Sequence, residues 1–354
     1  MKKLVIITSG LLSQRQIKQF GMEKLDKKFD IKILDFTLFY RPDYLTSKWD
    51  KYYTKNNPTD SEKTGLVQWD KYYLIKSKDD LLKIEFGDEK LFLLDLSFPN
   101  NSPIFIWARK FFKKKKCITI NYFVGLVPEQ SIVSSRNFLD LFRHPKKTIF
   151  KIINFIKRFF YKHTSTRDIA LYGGLFRYNT TKAKHKVKAH GGDYDIYLKL
   201  KNEHPIKKEP YAVFLDENYI WHPDQRVFEK LPLEMSPESY FKRLSIFFKK
   251  FEAETKLKIK FAAHPVSDPK KLDNLKKEYN FDILHGNTPG LVKNCTAVLM
   301  HRSTSVSFAV LFEKPIIYLY LKEFDYFEMG NQIKKLKNLL GGELIEVDYY
   351  KKKN

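Results

Sequence analysis

The chain has only two cysteines, Cys117 and Cys295, in 354 residues. They are far apart and each sits in an apolar, strand-like run. That excludes a disulfide framework and metal-ligand spacing, and points to a reducing compartment. No apolar run approaches the ~20 residues of a membrane span. The first residues, Met1-Lys2-Lys3, are followed by an apolar stretch only from Leu4 to Ile7, too short for a secretory leader. A cytoplasmic protein is therefore expected. The stretch Thr8-Ser9-Gly10-Leu11-Leu12-Ser13 lacks both the GxGxxG spacing and the Walker lysine, which excludes both nucleotide loops. Internal repeats and low-complexity tracts are absent. Acids are scarce: 41 Asp and Glu stand against 65 Lys and Arg, a formal net charge of +24.

Such an excess suits nucleic acid, an anionic membrane surface or an acidic substrate. Its distribution discriminates between them. From Arg109 to Arg167 the chain is dense in basic and aromatic residues. Within it, Ile149, Ile152, Ile153, Ile156 and Phe160 recur at helical spacing, with Lys151, Lys157, Arg158 and Lys162 among them. A basic helix with an apolar face suits an anionic bilayer, so segment 136–165 is expected to meet a membrane surface. The plainer reading is a helix packed on its own domain with its lysines outward. No nucleic-acid motif is present, and no nucleic-acid partner is expected.

Apolar strand-like runs alternate with helical periodicity along the chain, which predicts parallel α/β sheets. In the first half the strands are expected at Leu4–Thr8, Ile31–Phe36, Tyr72–Ile75, Leu91–Leu96 and Cys117–Phe123. Residues 45–68 read as a long loop. The polar stretch from Lys201 to Pro210 reads as a linker. The expected division is therefore 1–205 and 206–354, with 136–165 a helical insertion in the first part. In the second part, Ser236-Pro237-Glu238 marks a helix start. Strands are expected at 211–215, 257–263, 281–284, 297–300 and 316–320.

Three places carry candidate chemistry. The strand ending Phe214-Leu215-Asp216-Glu217-Asn218 presents two acids at its carboxyl end, where a carboxylate is suited to deprotonate an attacking hydroxyl; capping or salt-bridging acids are the plainer alternative. The chain contains His-Pro four times, but only His264-Pro265 follows a confident interior strand. A histidine there suits a leaving phosphate. Last comes His301-Arg302-Ser303-Thr304-Ser305, between an apolar strand and a short apolar helix expected at 304–312. Hydroxyls and amides at a helix start favour phosphate, though such residues are most often simple caps. His301 and Arg302 would add positive charge. The loop Gly286-Asn287-Thr288 is small and polar enough to let backbone groups meet a base. In the first part, loops at strand carboxyl ends, Ser9 and Gly10 among them, are expected to line a substrate cleft. Asp193-Tyr194-Asp195 is the nearest approach to an Asp-x-Asp pair.

The order of acid pair, His-Pro and Ser-Thr-Ser resembles the bacterial sialyltransferase-like glycosyltransferases of surface-polysaccharide synthesis. The resemblance covers about residues 211–320 and implies a GT-B fold, two Rossmann-like domains facing a central cleft. It implies inverting transfer of a sialic-acid-like nonulosonic acid or Kdo from a CMP-activated donor to a lipopolysaccharide or capsule acceptor. No metal or other cofactor is implied. The general base would fall on Asp216 or its neighbour Glu217, and the phosphate-binding histidine on His264. Ser303, Thr304 and Ser305 would bind the CMP phosphate. Ser9, Gly10 and Asp193 would lie on the acceptor side. Two positions depart from the pattern. Asn218 stands where the acidic motif ends in glycine, and Ala262-Ala263 precede His264 where a lysine is common, so Lys260 or another cation would supply that charge. A teichoic-acid-type transferase using CDP-glycerol or CDP-ribitol shares the His-Pro and serine motifs, but places an Asp before the serines, where this chain has His301-Arg302. A non-enzymatic basic protein bound to membrane or RNA is the other alternative.

Overall fold

The computed structural model describes residues 1–10, 12, 17, 20–40, 69–97, 102–123, 168–173, 183–203, 209–221, 235–265, 267–326 and 328–348. The basic segment 136–165 and the 45–68 loop lie outside them. The described residues form two compact units, one ending at His190 and one starting at Gly191.

The first unit holds a seven-stranded parallel sheet: β1 (Lys2–Thr8), β2 (Phe29–Asp35), β3 (Tyr72–Leu74), β4 (Leu91–Asp95), β5 (Ile118–Phe123), β6 (Ile169–Tyr172) and β7 (His185–Lys188). Their order is β3-β2-β1-β4-β5-β6-β7. The inner strands are near-continuous apolar runs because helices cover both faces. Helices α1 (Met22–Asp26), α2 (Thr37–Tyr40), α3 (Lys78–Leu82) and α4 (Pro103–Lys114) connect them. α4 begins with Pro103 in the first turn and ends in Lys113 and Lys114, the signs its two ends favour. Phe36, Phe105 and Phe112 fill the core on one face.

Helix α5 (Gly192–Leu200) opens the second unit. It was not evident in the sequence, and it draws the unit boundary forward from the expected 205/206. Tyr197 packs its ring on Phe312 at 5.1 Å. The Lys293 ammonium donates to the carbonyls of Leu200 and Glu203. The second sheet comprises β8 (Tyr211–Leu215), β9 (Lys258–Ala262), β10 (Asp282–Leu284), β11 (Ala297–Met300), β12 (Ile316–Tyr320) and β13 (Glu343–Glu346). Its order is β10-β9-β8-β11-β12-β13. Its helices are α6 (Pro237–Thr255), α7 (Pro269–Tyr279), α8 (Thr288–Asn294), α9 (Val306–Leu311) and α10 (Glu328–Leu340). Ser236 caps α6 by accepting the Ser239 N–H at 3.1 Å. The helix buries Tyr240, Leu244, Phe247, Phe248 and Phe251 along one face.

Both sheets place their first strand beside their fourth, with the chain reversing direction of winding there. This is the doubly wound, Rossmann-type order, whose ligand crevice lies at the carboxyl ends where the winding reverses. Two such units make up the GT-B fold expected from the sequence. No helix among the described residues is long and apolar enough to cross a membrane.

Candidate functional site

β8 lies inside the second sheet, between β9 and β11. Parallel pairing sets Leu215 level with Ala262 on one side and Met300 on the other. The acid pair, His264-Pro265 and the 301–305 segment therefore leave the sheet at one edge, from three adjacent strands.

Asp216 is buried, with 8% of its surface exposed. Its Oδ1 accepts the Asn218 N–H at 2.9 Å. Its Oδ2 accepts the His264 N–H at 3.2 Å and the Ser267 hydroxyl at 3.3 Å. The carboxylate thus fastens the exit of β8 to the exit of β9. Burial pushes its pKa up to about 6 against those hydrogen bonds. Glu217 is half-buried and turns the other way: its Oε1 accepts the backbone N–H of Arg302. Burial pushes its pKa up to about 7, the Arg302 N–H and charge opposing and Asp216 adding. Glu217 therefore spans β8 and β11, where the winding of this sheet reverses.

Asn218 explains its own departure from glycine. Its backbone is left-handed, with φ 51°, a region glycine enters freely and Asn better than most residues. The side chain is 3% exposed, and neither amide atom has a hydrogen-bond partner.

His301 does not supply positive charge to a donor site. It is fully buried, with Nδ1 donating to the Leu319 carbonyl at 2.7 Å and Nε2 accepting from the Tyr240 hydroxyl at 2.8 Å. Burial pushes its pKa down to about 4, so it is a neutral core histidine at ordinary pH. The Arg302 guanidinium bonds Gln332. Ser303 is buried and its Oγ accepts the Ser305 N–H at 3.3 Å, a local turn. Thr304 is exposed and Ser305 partly so. Helix α9 starts at Val306, later than expected, because these three residues form the turn that leads into it.

The loop expected at 286–288 is in part a helix start. Asn287 caps α8 by accepting the Gly290 N–H at 3.2 Å, and Thr288 is the first helical residue. Gly286 takes φ 90°, which requires glycine. Lys260 is no substitute for the missing lysine before His264. Its ammonium is held 4.1 Å from the ring centre of Tyr211, the first residue of β8. Asp193, expected on the acceptor side, belongs to the second unit and accepts the Ser307 hydroxyl at 2.5 Å. It braces the helix that follows the hydroxyl cluster.

In the first unit, Ser9 and Gly10 follow β1. The Thr8 hydroxyl donates to the Gly10 carbonyl at 2.6 Å and accepts the Gly10 N–H at 3.2 Å. Thr8 shapes the turn; Gly10 has open space around it and no positive φ. Sequence reasoning passed over the buried polar residues of this same edge: Asp35, Thr37, Asp95, Ser97 and Asn121. Asp95 pairs with Arg109 at 2.7 Å and accepts the Ser97 hydroxyl at 2.5 Å. Asp35 accepts the Tyr72 hydroxyl. The signal was a repeated phrase, Leu-Asp-x-Thr or Ser, closing an apolar run at 34–37 and again at 94–97.

Among the described residues no three His, Cys, Asp or Glu side chains are grouped to hold a metal. No family model matches this chain. No curated protein matches it either. Solved structures do. UDP-GlcNAc 2-epimerase from Methanocaldococcus jannaschii aligns over 98% of this chain and 89% of its own, at 12% identity and a TM-score of 0.45. Acinetobacter baumannii MurG aligns over 98% and 86%, at 8% identity and 0.44. E. coli heptosyltransferase WaaC aligns over 97% and 93%, at 9% identity and 0.33. At such values the functional reading rests on this chain's own residues.

Proposed function

We propose that this chain is an inverting glycosyltransferase that moves a sialic-acid-like nonulosonic acid or Kdo from a CMP-activated donor to a lipopolysaccharide or capsule acceptor. One observation carries the reading. The acid pair, the His-Pro and the hydroxyl cluster leave three adjacent strands at one edge, where the sheet's winding reverses and Rossmann-type sheets bind nucleotides.

Glu217 is the better general base. Asp216 already receives three hydrogen bonds and is almost wholly buried. Glu217 is partly open, and a pKa near 7 suits proton transfer at neutral pH. It takes the proton from the acceptor hydroxyl as that oxygen attacks the anomeric carbon. The bond from that carbon to the phosphate oxygen breaks, and CMP leaves with the electron pair. His264, Thr304 and Ser305 receive the phosphate charge. Asp216 positions His264 through its backbone. No metal ion enters this scheme. Ser9 and Gly10 are assigned to the acceptor. The enzyme is placed on the inner face of the membrane through 136–165, near a lipid-linked acceptor.

A thermal-shift series with CMP, CDP, UDP and GDP tests the donor, because a ligand bound only by the folded state raises the melting temperature. CMP should give the largest rise. Hydrogen bonds to a charged group contribute roughly 1.5–3 kcal/mol. His264→Ala, and Thr304→Ala with Ser305→Ala, should therefore each weaken CMP by roughly tenfold or more. Unchanged affinity by calorimetry would reduce the hydroxyls to turn formers.

A further inference from the structure

The amino edge of the first sheet, opposite to the one just considered in that unit, carries a row of lysines. Lys3 pairs with Leu91, and Phe92 with Ile118. Lys2, the first residue of β1, and Lys90 and Lys116, just before β4 and β5, therefore stand at one level on three adjacent strands. Lys2 pairs with Phe29, so Lys28 extends the row one residue out at β2. All four are exposed. Neighbouring strands lie about 4.8 Å apart, so these like charges gather at close spacing. Lys113, Lys114 and Lys115, also exposed, stand at the end of α4 beside them.

The turn at 85–87 binds this edge together. Lys3 lies against Gly87, the Lys115 ammonium sits 5.6 Å from the Phe86 ring centre, and Lys32 donates to the Glu85 carbonyl. The acids nearby are fewer. Asp30 and Asp168 are paired with Lys71 and Lys184, which leaves Asp26, Asp70 just before β3, and Glu85, Asp88 and Glu89, all exposed.

Two apolar side chains join the lysines. Met1 is 68% exposed and Leu82 60%, the two most exposed large apolar residues described. Met1 precedes β1. Leu82 ends α3, where the chain turns back to start β4. Exposed lysines around protruding apolar side chains match an anionic leaflet, which attracts the charges and takes up the apolar groups. Nucleic acid or a free polyanion would use the lysines but not Met1 and Leu82.

We infer that this amino edge docks on an anionic lipid bilayer. The inference rests neither on the donor assignment nor on segment 136–165. Its test is flotation of the full chain with mixed phosphatidylglycerol–phosphatidylcholine vesicles and with pure phosphatidylcholine vesicles. Wild type should bind the mixed vesicles, and binding should fall steeply as salt rises. The variant Lys2→Gln, Lys90→Gln, Lys116→Gln should lose roughly tenfold or more in affinity, and Leu82→Ser should lose less. Melting temperature and response to CMP should stay at wild-type values, since every altered side chain is exposed. A parallel variant, Lys157→Gln, Arg158→Gln, Lys162→Gln, separates the two basic regions. If that variant alone releases the protein, or if the edge variant binds like wild type, the inference is overturned. It is overturned equally if wild type ignores anionic vesicles at low salt, or if the edge variant loses affinity for RNA or heparin but not for vesicles.

Discussion

Three strands of this protein, two in the first unit and one in the second, end in the same local device. Leu34-Asp35-Phe36-Thr37, Leu94-Asp95-Leu96-Ser97 and Leu215-Asp216-Glu217-Asn218 each close an apolar run. In each, the aspartate accepts the N–H two residues on, at 2.8, 3.0 and 2.9 Å. An aspartate at a strand's carboxyl end is therefore not in itself a sign of catalysis here; it forms the turn that stops the strand. The units differ in what surrounds the turn. In the first, the other carboxylate oxygen meets the Tyr72 hydroxyl or the Arg109 guanidinium. In the second it meets one backbone N–H and one hydroxyl, with no cation. The residue after the aspartate differs more sharply. Phe36 and Leu96 pack into the first unit's cores, whereas the second unit has Glu217. A half-buried acid where the turn elsewhere takes an apolar side chain is the feature on which the proposed general-base role rests.

The largest expected effect tests that contrast directly. Glu217→Gln should lower transfer by ~10²–10⁴-fold while CMP affinity holds, whereas Asp216→Asn should cost clearly less. Single-turnover assays on folded variants check it, and the reverse ranking returns the base to Asp216. On the other side of the comparison, Asp95→Ala should act on stability. It removes the carboxylate from the partly buried Arg109 guanidinium, which keeps its bond to the Ser97 hydroxyl, and the acceptor of the Ser97 N–H, a loss of about 1–3 kcal/mol in denaturant unfolding. A small change would mean that Arg109 finds another partner.

pH supplies the next test. A base must be deprotonated, so kcat/KM should rise with pH through about 7 and level above it. Stability carries the opposite sign. The folded pKa of Glu217 lies above its ordinary 4.5, so between these values the folded state holds the extra proton. Its contribution to stability declines as pH rises across that window. Glu217→Gln should accordingly gain thermal stability over wild type as pH moves from about 5 to about 8. A gain that does not grow with pH would show that Glu217 is not held protonated by burial. The smallest effects belong to Asn218. Asn218→Gly should be neutral or slightly stabilising, because glycine takes φ 51° and removes an unpaired amide. Asn218→Ala should cost about 1–2 kcal/mol, the ordinary strain of a left-handed residue. Equal melting temperatures for the two would show that the turn relaxes.

Much of the fold was legible because apolar runs of strand length and helix-start chemistry are local signals. The run from Tyr211 to Leu215 and the Ser236-Pro237-Glu238 start were read where the structure has them. β7, β13, α5 and α8 were not. His185–Lys188 is an edge strand with one apolar residue, Glu343–Glu346 an edge strand of four residues with an acid at each end, and α5 has no buried residue to give it a periodic face. The acid pair, His264 and Ser303-Thr304-Ser305 were picked out by residue type and order alone. Their meeting at one edge was not local, since it depends on β9 and β11 flanking β8. By itself the sequence determined that two parallel α/β units would form and which polar residues close their strands, because burial and turn chemistry act between near neighbours. Tertiary structure alone decided that His301 lies neutral beneath Tyr240 and Leu319, that Asp193 braces Ser307, and that Glu217 rather than Asp216 keeps part of its surface exposed. Solvent access and hydrogen-bond partners come from segments distant in the chain, and they set what an ionisable side chain does.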